Sequence, residues 1–245
     1  MKRLSYIFSY VLLILISTSV LAEDPNEIVA KADQIRAPAG SYVFEATVVS
    51  YHGEEKSAEN GYRVSVKDLD HSLVEFTSPA SEKGKSMLML EDDIWIFLPR
   101  VNKPVRVPLK NRLLGEVSIG DMTRTNFSHD YLATLIGEET IEGEAAYVLD
   151  LKAKSPAKAY GSIKYWVAKK NYRPIQAEYF TVSGKSLKTV TFADFTQAAG
   201  NLRPLQATFY DSIRKDKKSI LTFKDMTAKS LPDKMFSKQS MQTIP

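Results

Sequence analysis

Residues 86–90 (Ser-Met-Leu-Met-Leu) and 94–98 (Ile-Trp-Ile-Phe-Leu) are two short apolar runs on either side of Glu91, Asp92 and Asp93. Acidic residues make poor strand and good turn, so this stretch predicts a β-hairpin with apolar side chains on both faces. A half-solvated sheet would alternate polar and apolar. One face therefore belongs against a core. The other faces something equally dry, either more of the same protein or a cavity for an apolar ligand. Beyond Pro99 the texture changes: residues 100–112 carry Arg100, Lys103, Arg106, Lys110 and Arg112, no acid, and prolines at 104 and 108. Proline cannot donate to a ladder, so this is an edge strand or an extended loop. Leu113, Leu114 and Ile119 then give the following loop apolar teeth, as in a lid beside a sheet.

Elsewhere the period is easier to read. Asp24 as N-cap, Pro25 in the first helical position and Glu27 as capping-box partner open a helix over 25–36, with Ile28, Val29, Ala32 and Ile35 on one stripe. From Ser41 the period becomes two: Tyr42, Phe44, Ala46 and Val48 share a face. Residues 52–61 form a polar hairpin loop, Tyr62, Val64 and Val66 resume the alternation, and 73–77 is a further strand. Residues 128–137 predict a second short helix, capped by Ser128 and stopped by Gly137, with Tyr131, Leu132, Leu135 and Ile136 as its apolar side. It would serve as a plug over a sheet or as ordinary packing. The remainder is a run of hairpins. Tyr147, Leu149, Leu151 and Ala153 lie on one face, opposite Asp150 and Lys152; Ile163, Tyr165 and Val167 follow, and later strands cover 175–182, 187–195, 205–210 and 220–226. About ten or eleven strands joined by tight turns describe one antiparallel sheet curled towards a barrel. A sandwich or a closed lipocalin-like barrel would give a similar pattern.

Residues 1–22 stand apart from this pattern. Lys2 and Arg3, the apolar run 6–16 and the Val20-Leu21-Ala22 ending read as a secretory signal peptide cleaved after Ala22. That leaves 23–245 as one domain. The chain has no cysteine, so it can carry neither a lipobox acylation nor a disulfide, which for an exported protein points to a bacterial periplasm. The formal charge of +4 falls to +2 with the loss of Lys2 and Arg3. So small a net charge argues against nucleic acid as a partner. The cationic 100–112 segment is the local exception, either a solvated edge that resists aggregation or a docking surface for an acidic partner or lipid phosphates.

Catalytic chemistry is not legible. His52, His71 and His129 have no metal-ligand spacing, and the chain shows no nucleophile elbow, metalloprotease helix or phosphate-cradling loop. The expectation is a protein that is not an enzyme and needs no metal or cofactor. What the chain has in quantity is aromatic side chains, 12 Tyr, 11 Phe and 2 Trp, lying mostly in strands. A single sheet has two faces and few helices to cover them, so a dry concave face could hold an acyl chain, at about 0.8 kcal/mol per buried methylene.

The runs Gly84-Lys85-Ser86, Trp95-Ile96-Phe97-Leu98-Pro99, Arg106-Val107-Pro108, Gly120-Asp121-Met122 and Asn126-Phe127 resemble the outer-membrane lipoprotein-sorting family, the LolA-like and LolB-like periplasmic carriers. Residues 137–143, 147–151, 165–167, 172–175 and 231–236 fit the same pattern, so the likeness covers the chain from about residue 40 onward. The resemblance implies a mainly β (α+β) fold: a single strongly curved antiparallel sheet forming an open half-barrel, with short helices covering the concave face. It implies a soluble, monomeric carrier or chaperone that takes lipoprotein or lipid cargo from an inner-membrane transporter to an outer-membrane acceptor. No residue matches a cargo-gating position, so a free lipid such as a phospholipid or hopanoid is as good a cargo as a lipoprotein. Candidate cavity residues are Leu88, Leu90, Trp95, Phe97, Tyr147, Leu149, Leu151, Tyr165 and Phe209, and a one-residue slip in register would exchange the faces. Arg100 and Arg106 are candidate headgroup or partner contacts. Two other readings stay open: a periplasmic lipid-sensing regulator of a membrane signalling partner on the same fold, and a plain structural module.

Overall fold

The computed structural model describes residues 23–91, 93–107, 113–114, 117–123, 126–156 and 158–242. The expected signal peptide and the 109–112, 115–116 and 124–125 parts of the expected 109–127 lid lie outside the described residues. In chain order the elements are α1 (Pro25–Arg36), β1 (Tyr42–His52), β2 (Glu55–Val66), β3 (His71–Ser78), β4 (Ser86–Leu90), β5 (Asp93–Leu98), β6 (Lys103–Val107), β7 (Leu113–Leu114), β8 (Val117–Ser118), α2 (Ile119–Thr123), α3 (Phe127–Asp130), β9 (Tyr131–Ile141), β10 (Glu144–Ala153), β11 (Ser162–Ala168), β12 (Pro174–Phe180), β13 (Ser186–Ala198), β14 (Asn201–Asp211) and β15 (Lys217–Ala228).

Thirteen of the strands form one antiparallel sheet in the order β6-β5-β4-β3-β2-β1-β15-β14-β13-β12-β11-β10-β9. It is two meanders, β1–β6 and β9–β15, zipped together where β1 pairs with β15 from Tyr42 opposite Ala228 to His52 opposite Lys217. β6 and β9 are its two ends and do not pair, so the curved sheet is an open half-barrel. The chain between those ends carries α2 and α3, which with α1 cover the concave face. The hairpin of β4 and β5 lies next to the β6 edge, while β1 and β15 hold the middle.

α1 forms where its sequence predicts. The Asp24 carboxylate accepts from the Asn26 N–H at 2.9 Å, and Ile28, Val29, Ala32 and Ile35 are buried against the sheet. Polar ties fix both ends. Glu23 accepts from the Tyr147 and Tyr172 hydroxyls at 3.0 and 2.7 Å, and Asn26 Oδ1 accepts from the edge-strand N–H of Ala133 at 3.0 Å. At the other end Arg203 donates to the carbonyls of Gln34 and Ile35 at 3.0 and 3.3 Å, satisfying oxygens that the helix leaves open.

Two expectations are corrected. Only Phe127–Asp130 of the second helix is helical, capped by Asn126 rather than Ser128, and the rest is β9. The apolar set at 131, 132, 135 and 136 suits a helix, but β9 pairs with β10 from Tyr131 opposite Ala153 to Ile141 opposite Glu144. That ladder wins: Tyr131 and Ala133 turn inward, whereas Leu132 and Ile136 stand exposed. The polar hairpin at 52–61 is strand for most of its length, with a turn only at Gly53 and Glu54, because the backbone ladder from Val48 opposite Asn60 to His52 opposite Glu55 is indifferent to its polar side chains. Glu142 and Gly143, both at positive φ (51° and 83°), make the tight turn from β9 to β10 that their sequence announces.

The large core lies between the concave face and the helices and includes Ile28, Phe44, Tyr62, Val74, Met89, Ile119, Met122, Phe127, Leu149, Tyr165, Phe209 and Leu221. A second cluster sits on the opposite face of β3–β5, where Leu73, Leu88 and Phe97 are buried under Leu231, Phe236 and Met241 of the C-terminal segment. This answers the doubly apolar hairpin. One face of β4 and β5 belongs to the core, and the other is dry because the end of the chain folds back over it.

Candidate functional site

The concave core is apolar with one exception, a group of ionised side chains, Asp33, Arg36 and Asp121 from the helices and Lys188 from the sheet. Arg36 ends α1 one helical turn beyond Ala32, in phase with the buried stripe, and its guanidinium stacks over Phe127 at 3.9 Å from the ring centre. Asp33 lies 3.8 Å from it and accepts at Oδ2 from the Ser128 N–H at 2.8 Å, tying α1 to α3. Asp33 Oδ1 accepts no hydrogen bond among the described residues. Burial pushes the Asp33 carboxyl up to about 6, against the pull of Arg36 and the Ser128 N–H.

The second pair joins cover to sheet. Lys188 of β13 points inward in phase with Val190, and its ammonium pairs with the Asp121 carboxylate of α2; both side chains are about 95% buried, with exposures of 6 and 4%. Asp121 Oδ1 also accepts from the Tyr160 hydroxyl at 3.0 Å and Oδ2 from the Ser118 N–H at 2.6 Å. The Lys188 ammonium lies 5.0–5.2 Å from the ring centres of Tyr160, Tyr179 and Phe209. Burial pushes the Tyr165 and Tyr179 hydroxyls up, so both remain neutral across the physiological range.

The nine candidate cavity residues fall on two faces. Leu149, Leu151, Tyr165 and Phe209 are buried in the concave core, with Tyr147 half-buried at its margin. Leu88 and Phe97 are buried in the opposite cluster, with Leu90 and Trp95 packed half-buried against it. Leu88 is opposite Leu73 on one side and Trp95 on the other, so the three share the outer face, while Met89 and Ile94 turn to the core. The Trp95 ring carries the Lys238 ammonium at 3.4 Å. Arg100 is exposed in the turn after β5. Arg106 is exposed on edge strand β6, opposite Trp95 in register, and donates to Asp93 at 3.0 Å.

The void bounded by Arg36, Asp121, Val190, Phe209 and Leu221 is about 20 Å³, room for about one water. A cleft of about 360 Å³ opens at the C-terminal end of α1, between Asp33, Pro38, Tyr42, Val66 and Leu69, and a groove of about 610 Å³ runs on the outer face past Val43, Arg63, Glu75 and Met235. None of the nine candidates lines the cleft or the groove. Among the described residues no acid and histidine cluster could hold a metal ion, and no helix is long and apolar enough to cross a membrane.

Sequence reasoning missed Asp33, Arg36, Asp121 and Lys188. For Asp33, Arg36 and Lys188 the signal was phase. Arg36 continues Ile28 and Ala32 at four-residue steps, Asp33 follows Val29 by four, and Lys188 is two residues before the inward Val190. A charge in step with a buried stripe is the unusual event in each case.

Comparison with known proteins places this geometry. A family model described only as "-like: Uncharacterized protein" matches residues 68–243. The chain is 36% identical to the LolA superfamily protein NE2245 from Nitrosomonas europaea, over 89% of this chain and 100% of that one, with a TM-score of 0.84. It shares its fold with a putative outer membrane lipoprotein-sorting protein domain from Vibrio parahaemolyticus (20% identity, 89% and 98% coverage, TM-score 0.76). It shares it also with a DUF1329 family protein from Desulfovibrio piger (19%, 89% and 100%, 0.77). No curated protein matches the chain.

Proposed function

The chain belongs to the LolA superfamily, and from that premise we propose that it is a carrier that binds the acyl chains of a lipoprotein or lipid beneath its helices and ferries them across the periplasm. Membership of the superfamily, over nearly nine-tenths of the chain, is the observation that carries this reading. The architecture supports it. A large concave apolar face is covered by three short helices rather than by a second sheet, and removing them would expose Leu149, Leu151, Tyr165 and Phe209 as a continuous acyl-binding surface. Tyr147 flanks that surface at the Glu23 tie. Holding a chain of methylenes there needs no catalysis, so the protein acts without chemistry, metal or cofactor. In this reading cargo enters as α1, α2 and α3 move outward and uncover the concave face. We assign Leu88, Leu90, Trp95 and Phe97 to holding the C-terminal segment, and Arg100 and Arg106 to contact with an acidic partner at the β6 end. Residues 1–22 are the export signal and 23–245 the carrier domain.

Native mass spectrometry of the protein purified from a bacterial periplasm, followed by organic extraction, tests this. A co-purifying mass of several hundred daltons that extracts as lipid is the expected result. A clean apo mass, together with no uptake of a fluorescent fatty acyl probe, would overturn the carrier and favour a regulator or structural module.

A further inference from the structure

The carrier reading leaves open what kind of headgroup the cargo has, and the buried Lys188 bears on that. We propose that Lys188 and the Tyr160 hydroxyl form a receiving site for the acidic headgroup of an amphiphile, a carboxylate or a phosphate, and that Asp121 occupies this site with its own carboxylate while the cover is closed. The inference rests on the carrier reading and narrows it to acidic amphiphiles.

Three observations support it. First, the two sides of the contact belong to parts that must separate. Lys188 is in the sheet and Tyr160 in the segment leading into β11, whereas Asp121 and Ser118 belong to the covering segment. Second, the ammonium is buried among the rings of Tyr160, Tyr179 and Phe209, whose faces attract a cation but do not offset its desolvation as an anion does. Third, the small void beside Asp121 is otherwise walled by Val190, Phe192, Phe209 and Leu221, so an anion bonded to Lys188 would have its apolar tail against the concave face.

Opening the cover withdraws the Asp121 carboxylate from Lys188. A ligand carboxylate or phosphate restores the pair, charge for charge, and accepts the Tyr160 hydroxyl bond. A neutral headgroup does not replace the Asp121 carboxylate beside the ammonium, so neutral amphiphiles are disfavoured relative to acidic ones of equal chain length. Asp121 thus competes with the ligand, and closure of the cover after release restores the internal pair.

The test uses the delipidated full chain and three probes of equal length, dodecanoate, dodecyl phosphate and dodecanol, each competing with a fluorescent acyl reporter. One or both acidic probes are expected to bind about tenfold tighter than dodecanol or more. Preference for dodecanoate alone indicates a fatty-acid source, and preference for dodecyl phosphate alone a phospholipid source. In Lys188→Met the acid-to-neutral ratio falls to within about twofold. Should that variant fail to fold around an unpaired Asp121, the double variant Lys188→Met with Asp121→Leu removes both charges and must show the same collapse. Equal binding of all three probes by the wild-type chain, or an undiminished preference in the double variant, would overturn the headgroup site and leave the carrier standing. Binding of none of the three, and no uptake of the reporter, would overturn the carrier and this inference with it.

Discussion

The β3–β5 end of the sheet is dry on both faces, and the two faces differ in kind. On the outer face Leu73, Leu88, Phe97, Leu231, Phe236 and Met241 bury one another, and the cationic neighbour Lys238 lies over the Trp95 ring rather than inside the cluster. The concave core is larger and equally apolar in its walls, yet it admits Asp33, Arg36, Asp121 and Lys188. A cluster that only holds a chain segment in place has no use for buried charge. Apolar residues of the same size often match or better such pairs in stability, so packing alone does not account for the two pairs in the concave core.

The sharpest way to break this contrast is to remove one member of a buried pair. Asp121→Asn takes the Asp121 carboxylate away from the Lys188 ammonium among three aromatic rings, and the expected loss is about 3–5 kcal/mol. Asp121→Leu combined with Lys188→Met should recover most of it. Urea unfolding of the three proteins checks both, and a single variant as stable as wild type would mean the pair is hydrated in solution. In the outer cluster, Leu88→Ala should cost about 3 kcal/mol by the cavity it opens beside Leu73 and Phe97. No charge change there should have a rescuing partner.

A pH series sharpens the same contrast. The Asp33 carboxyl titrates at about 6 in the folded chain against 3.8 when free, so the native state binds this proton more tightly than the unfolded state. The group's ionisation therefore penalises folding in full above pH 6. The penalty is relieved as pH falls through 6 towards 3.8, by an amount on the order of 3 kcal/mol. Between pH 7 and pH 5 the wild-type chain should gain stability relative to Asp33→Asn, measured by unfolding both proteins at each pH. Parallel curves would show that Asp33 is not buried in ionised form.

Which of these features the sequence announced follows from how many constraints act on each segment. α1 was legible because cap, proline and stripe agree, and β1 because Tyr42, Phe44, Ala46 and Val48 alternate with polar neighbours. β9 was not, because positions 131, 132, 135 and 136 suit a helix as well as a strand, and only pairing with β10 decides. The doubly apolar β4 and β5 showed that both faces are dry but not which one is concave. That depends on residues 231–241 folding back across about 140 positions of chain, which no local period records. The candidate site divided accordingly. Of the nine cavity candidates, Leu149, Leu151, Tyr165 and Phe209 face the concave core with Tyr147 at its margin, whereas Leu88, Leu90, Trp95 and Phe97 turn the other way.

The smallest effect belongs to the edge. Arg106 stands opposite Trp95 on the outer face, its side chain is 66% exposed, and its partner Asp93 is itself 40% exposed. An ion pair so open to water contributes little, and Arg106→Ala should change stability by less than about 0.5 kcal/mol. Since Arg106 lies across the sheet from Lys188 and Phe209, the same substitution should leave acyl-probe affinity within about twofold of wild type, whereas transfer to an acidic partner should weaken, and the more so at low salt. A large loss of probe affinity in Arg106→Ala would move the binding site to the outer face and reverse the roles given to the two clusters.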